Sequence, residues 1–190
     1  MSGVSLALWL VLGLVVLVVA YVVVTWNRFV RLRTRVDNGW SQIDVQLRRR
    51  YDLIPNLVET VRGYAAHERS LFESVTKART RAIAATNVGE QASAENAITA
   101  GLRQLMAVVE AYPELKANEN FLALQEELVG TESKIAYARQ FYNDQVMRLN
   151  TAIETVPSNL VANALDVEKR EFFDIEDPER GPVAVDLGGS

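Results

Sequence analysis

Residues 4–24, VSLALWLVLGLVVLVVAYVVV, are 21 consecutive positions without a charge. As a helix rising ~1.5 Å per residue, they would reach roughly 32 Å, about one bilayer hydrocarbon core. A helix apolar on every side suits lipid better than a solvated domain, so the pattern predicts a single transmembrane helix. Further on, the apolar residues fall into steps of three and four. Val36, Trp40, Ile43, Leu47, Tyr51, Ile54, Val58, Val61, Ala65, Phe72, Val75 and Arg79 keep that stripe, with one skipped step at Glu68. It holds its phase across Pro55, which predicts one long helix kinked there. The competing reading caps a new helix with Asp52 and puts Pro55 in its first turn. Thr86-Asn87-Val88-Gly89 then ends the helix.

A second helix is predicted over about 91–111, with Ile98, Leu102, Leu105, Val109 and Tyr112 on its apolar face. Pro113 and a polar segment interrupt it. Asn118 is the expected cap of a third helix whose seam runs Phe121, Leu124, Leu128, Thr131, Ile135, Ala138, Tyr142, Val146, Leu149, Ile153 and Val156. Long helices with narrow seams and short turns pack as an antiparallel bundle. The expected fold is therefore all-α: an N-terminal transmembrane helix followed by an elongated antiparallel bundle of about three long helices. The expected divisions are an anchor over 1–27, a helical bundle over 28–157 and an acidic, largely irregular tail over 158–190. That tail reads first as mostly disordered or as a docking peptide for a partner, with two alternatives: Glu171-Phe172-Phe173-Asp174 docking two aromatics on the bundle, and Pro182–Leu187 forming a short extended strand.

Flanking residues give the span a direction. A cleavable signal would carry a basic start, a shorter apolar core and a small-x-small site, and this chain has none of them, so it reads as a retained anchor. No Lys or Arg precedes the span, whereas Arg28, Arg31, Arg33 and Arg35 follow it, which predicts the N-terminus outside and the body in the cytoplasm. Tyr21 and Trp26 fall near the inner interface, where amphipathic aromatics collect. Charge is unevenly spread, at +5 over residues 1–50, −4 over 51–156 and −5 over 157–190. The basic start suits an anionic leaflet, and the acidic remainder excludes a nucleic-acid footprint.

Chemistry-bearing patterns are sparse. Cysteine is absent, which removes disulfides, thiolate metal sites and thiol nucleophiles. His67 is the only histidine, lacks the second histidine of a zinc motif, and reads as a structural or surface imidazole. Glu126, Glu127 and Glu132 read as a solvated helix face, and so does Arg48-Arg49-Arg50. The connector Tyr112–Phe121 reads as an ordinary helix–helix turn ahead of a recognition loop. No catalytic, cofactor-binding or metal-ligating residue is assigned, and no cofactor is expected.

Two stretches carry a family resemblance. Residues 36–68, VDNGWSQIDVQLRRRYDLIPNLVETVRGYAAHE, and the block 111–162 that opens AYPELKANENFLALQEELVG closely resemble the LemA family. The resemblance covers about residues 4–162. It implies a single-pass bacterial or archaeal membrane protein with its N-terminus outside and a cytoplasmic helical bundle, and it implies no defined biochemical activity. From Asn163 onward the chain departs from the family's Gly-Phe and aromatic-acidic tail pattern. The expected function is a membrane-anchored, non-enzymatic scaffold or adaptor. Its expected partners are the lipid bilayer, through residues 4–24, unidentified proteins and a second copy of the chain, with no nucleic acid and no small-molecule substrate. The alternative is a signalling or envelope-stress module that transmits membrane state through the helix hinged at Pro55.

Overall fold

The computed structural model describes residues 3–175, with side chains from residue 7 onward. Six helices follow in chain order: α1 (Gly3–Arg62), α2 (Arg69–Ala84), α3 (Val88–Glu110), α4 (Pro113–Lys116), α5 (Glu119–Glu154) and α6 (Ser158–Ala164). Among the described residues there is no strand. The all-α bundle with one long apolar N-terminal helix is therefore as expected. The described chain forms two compact units, residues 3–44 with 136–172, and residues 45–135 with 173–175. Both α1 and α5 contribute to each unit.

In the first unit, α1 begins as an apolar helix whose residues 7–21 are all exposed. Its most apolar 18-residue stretch has a mean hydropathy of 3.0 and is long enough to cross a membrane. The same helix then acquires a buried side at Thr25, Phe29, Leu32 and Val36, spaced by four, three and four. On α5, Tyr142, Val146, Leu149 and Ile153 are buried as predicted. Trp40 and Tyr142 pack with ring centroids 5.4 Å apart and their planes tilted by 59°. A Cβ on Gly39 would meet the Tyr142 backbone at 3.2 Å, so glycine permits this close approach of α1 and α5. Val156, expected to end the seam, is exposed because α5 stops at Glu154.

The segment expected to be irregular opens with the short helix α6. The chain after it is extended but held. Asn150 accepts from the Arg170 backbone N–H at 3.0 Å and donates to its carbonyl at 2.9 Å, while the Tyr142 hydroxyl donates to the Glu171 carbonyl. Of the two aromatics in the docking alternative, Phe173 is buried and Phe172 is half exposed. The alternative strand at 182–187 lies outside the described residues.

The second unit contains a correction. The helix expected to run from Val36 to about Thr86 is two helices, because α1 ends at Arg62 and α2 starts at Arg69. Gly63 weakens helix by about 1 kcal/mol relative to alanine. A turn follows, closed by Tyr64 N–H to the Val61 carbonyl and Glu68 N–H to the Ala65 carbonyl, with Ala65 buried inside it. The chain doubles back, and the Arg62 guanidinium lies 5.5 Å from the centre of the Phe72 ring. The step from Ala65 to Phe72 is one heptad, so a continued helix and a helix–turn–helix leave the same stripe in the sequence. At Pro55 the continuous reading holds, since α1 runs through it and no helix starts at Asp52.

Caps set the remaining boundaries. Asn87 accepts from the Glu90 N–H at 2.8 Å, and Glu90 reaches back to the Thr86 N–H and hydroxyl, a reciprocal capping arrangement. Those donors hold the Glu90 carboxyl below the usual carboxylate range. Asn118 accepts from the Phe121 N–H at 3.1 Å, as expected of the α5 cap.

Gly101 marks a close helix approach in this unit. A Cβ there would lie 2.7 Å from Val75 Cγ2, and Val75 is itself fully buried and stiff at its branched Cβ. Gly101→Ala is expected to destabilise the full chain in mild detergent by about 1–3 kcal/mol, outweighing alanine's helix preference. Adding Val75→Ala should recover part of that loss. A thermal midpoint for Gly101→Ala equal to wild type would show that the α2–α3 contact is looser than this.

Candidate functional site: a buried arginine network

In the second unit, Leu47, Tyr51, Ile54 and Val58 form the buried side of α1, and Arg50 sits among them. Its side chain is 2% exposed, and Glu95 on α3 is 0% exposed. A guanidinium keeps its charge under all ordinary conditions, so burial obliges the fold to surround it with acceptors. Three are supplied. Arg50 Nη1 meets Glu95 Oε2 at 2.9 Å, Nη2 donates to Thr99 Oγ1 at 2.8 Å, and Nε lies 2.8 Å from Glu132 Oε1 on α5. The last contact is an ion pair whose angles do not make it a hydrogen bond.

Tyr51, next in sequence, extends the cluster. Its hydroxyl donates to Glu95 Oε1, while Gln91 Nε2 donates to both the Tyr51 hydroxyl oxygen, at 2.7 Å, and Glu95 Oε1, at 2.9 Å. Burial, and then the negative charge of Glu95, push the Tyr51 hydroxyl far above its ordinary range and keep it protonated. Its backbone carbonyl has another history. Pro55 has no N–H and cannot donate to the carbonyl four residues back, which is that of Tyr51. Arg79 Nε fills the vacancy at 2.7 Å. The charged end of the predicted apolar stripe is thus the group that repairs the proline's missing bond.

The sequence reading of Arg48-Arg49-Arg50 as a solvated face is corrected at Arg50. Arg48 and Arg49 are exposed, and Arg49 pairs with Glu127 at 3.7 Å. Glu126 and Glu127 are solvated as expected, whereas Glu132 turns its carboxylate to the buried guanidinium. His67 is exposed in the turn between α1 and α2. The connector after α3 is folded, with α4 placing Leu115 fully inside. Thr131 is buried, and its hydroxyl donates to the Glu127 carbonyl one helical turn back.

A signal for the network was present in the spacing. Arg50 continues Ile43, Leu47 and Ile54 in steps of four, three and four, and Glu95 extends Ile98, Leu102 and Leu105 backward by three. Opposite charges on the apolar phase of two helices predict a buried pair. Chemically, the cluster gathers most of its donors on the Glu95 carboxylate and others on the Thr99 and Tyr51 hydroxyls. It joins side chains from α1, α2, α3 and α5, and it suits the specification of one helix register.

Glu95→Ala leaves a buried guanidinium with one carboxylate, and is expected to cost about 3–5 kcal/mol in thermal unfolding of the full chain. Glu132 gives a pH test. Burial raises its carboxyl above the ordinary value, Arg50 opposes the shift, and Glu95 adds to it. A raised folded-state value contributes stability that is full below the unfolded value, about 4.3, and lost as pH rises through the folded value. Wild type should therefore gain stability relative to Glu132→Gln as pH falls toward about 4.3. A difference constant between neutral pH and that point would remove Glu132 from the buried cluster.

Comparison with known proteins places these features in a sequence family. The profile of the LemA family matches residues 39–187. The chain is similar to the magnetosome protein MamQ 2 of Paramagnetospirillum magneticum, at 28% identity over 185 residues, covering 84% of this chain and 68% of that protein. The magnetosome protein MamQ of Magnetospirillum gryphiswaldense is 26% identical over 174 residues, with 78% and 64% covered. Protein LemA of Metamycoplasma hominis is 26% identical over 161 residues, with 83% and 72% covered.

Proposed function

The chain belongs to the LemA family, and on that premise we propose that it is a membrane-anchored, non-enzymatic scaffold that presents a helical bundle to protein partners. The observation that carries this reading is the continuity of α1 from Gly3 to Arg62. One helix supplies both the exposed apolar stretch and the buried seam of the bundle, so the anchor and the presenting body share a backbone. The buried network supports the same reading, because its charged groups are spent on each other. Residues able to meet a partner remain outside, among them Tyr137 at 75% exposure in the first unit and Val129 in the second. Similarity to MamQ, a magnetosome protein by name, is consistent with work at a membrane.

In this proposal the N-terminus lies outside and the bundle in the cytoplasm, following the arginines after the span. The relay reading receives less support. The Tyr51 carbonyl freed by Pro55 is held by Arg79, which favours a fixed helix over a hinge at that position.

The absence of cysteine makes the topology directly testable. On intact cells, a membrane-impermeant maleimide should label Ser2→Cys and spare Thr80→Cys, with both labelled after lysis. The reverse pattern would overturn the orientation. For the scaffold role, crosslinking in native membranes should capture a reproducible neighbour or a second copy. A chain that is monomeric in mild detergent and captures nothing in membranes would end that reading.

A further inference from the structure

The first unit holds a groove that the bundle's packing does not require. It has a volume of about 580 Å³ and lies between Arg28, Arg31, Leu32 and Arg35 of α1 and a stretch of α5 that includes Met147 and Arg148. All four arginines are exposed. Among the described residues none of the four forms an ion pair. Elsewhere Arg50 is held by two carboxylates, Arg49 by Glu127 and Arg170 by Asp37, while Arg103 on α3 is, among the described residues, exposed on its own. The four differ in sharing one groove. Four like charges gathered at one groove repel one another, and an anion seated there would relieve that repulsion.

The groove's position on α1 identifies the anion's source. Arg28, Arg31 and Arg35 follow Val24, the last residue of the apolar run, by about 6, 10 and 16 Å of helix rise, so the groove starts at the end of the span and runs away from it. A leaflet's polar layer is roughly 5–8 Å thick. Side chains on a helix lean toward its N-terminus, so Arg31 and Arg35 incline back toward the span, while Arg148, on the antiparallel α5, inclines the opposite way and meets them along the groove. Leu32 and Met147 add an apolar wall beside the charges. Guanidinium groups match phosphate oxygens in paired hydrogen bonds. We infer that this groove binds the phosphate headgroup of an anionic phospholipid in the leaflet that α1 enters.

Arg148 separates this inference from simple charge-directed insertion. The orientation rule counts basic residues within about 15–20 positions of a span, and Arg148 lies far beyond them. It reaches the groove only because α5 packs antiparallel to α1, with Gly39 against Tyr142 and Arg28–Arg35 beside Met147–Thr155. The inference rests on the reading of residues 4–24 as a bilayer span.

The test uses the full chain in mild detergent, with lipid retention followed by native mass spectrometry as phosphatidylglycerol or phosphatidylcholine is added. Wild type should retain phosphatidylglycerol in preference to phosphatidylcholine. Arg148→Gln should weaken that retention about fivefold, near the effect of one basic residue at a membrane surface. Arg148→Lys should keep part of it. Arg103→Gln, an exposed arginine on α3, should change nothing. Equal retention of the two lipids, or equal losses in Arg148→Gln and Arg103→Gln, would overturn the inference, as would displacement of the lipid by millimolar inorganic phosphate. Helix content and melting midpoint like wild type in Arg148→Gln exclude misfolding, and Arg148→Lys reports if that variant melts early. Alkaline carbonate extraction from native membranes distinguishes the two failures. A chain that is extracted refutes the span itself, whereas one that stays integrated without lipid preference refutes the groove alone.

Discussion

A buried guanidinium is the constraint around which the second unit is arranged. Removing Arg50 from water without compensation would cost several kcal/mol, so the surrounding helices must deliver carboxylates to fixed points. Glu95 and Glu132 reach it from α3 and α5 at 2.9 and 2.8 Å. A slip of either helix by one turn would carry its carboxylate about 5.4 Å away. Apolar seams alone tolerate such slips, because a heptad stripe looks similar after each repeat. The charges do not, and they convert a generic bundle into a particular one.

The same economy appears at Pro55. A proline within a helix removes a donor, and the unfilled carbonyl is a natural place for a bend or for water. Here Arg79 from α2 supplies the donor, so the defect in one helix becomes a contact with the next. Close approach elsewhere depends on missing side chains. Gly101 admits Val75 in the second unit, and Gly39 admits the α5 backbone in the first. These positions, together with the buried ions, set which surfaces meet. What is left outside is the apolar stretch at the start of α1, the arginines after it, and exposed aromatics on α5.

Much of this fold was legible along the chain. The seam positions from Val36 to Val75, and from Phe121 to Ile153, are nearly all buried, because helical periodicity is a local property that tertiary contacts reinforce. Asn118 was recognisable as a cap because capping acts within four residues. The turn at residues 63–68 was concealed by its own length, since the seven-residue step from Ala65 to Phe72 leaves the phase unchanged. Along the chain Arg50 and Glu132 read as solvated, because composition treats a charge as an exposed group until a partner is known. The partners of Arg50 lie 45 and 82 positions away.

By itself, then, the sequence determined the helical class, the apolar length that can cross a bilayer, most of the buried seam and the absence of thiol chemistry. Each depends on residue type and on spacing within one or two turns. Only the tertiary structure decided where the long stripe folds back, which charges are buried, how the Tyr51 carbonyl is satisfied, and that Arg148 joins the arginines of α1 at one groove. Those outcomes need groups distant in sequence to meet, and their energies exist only once the helices have packed.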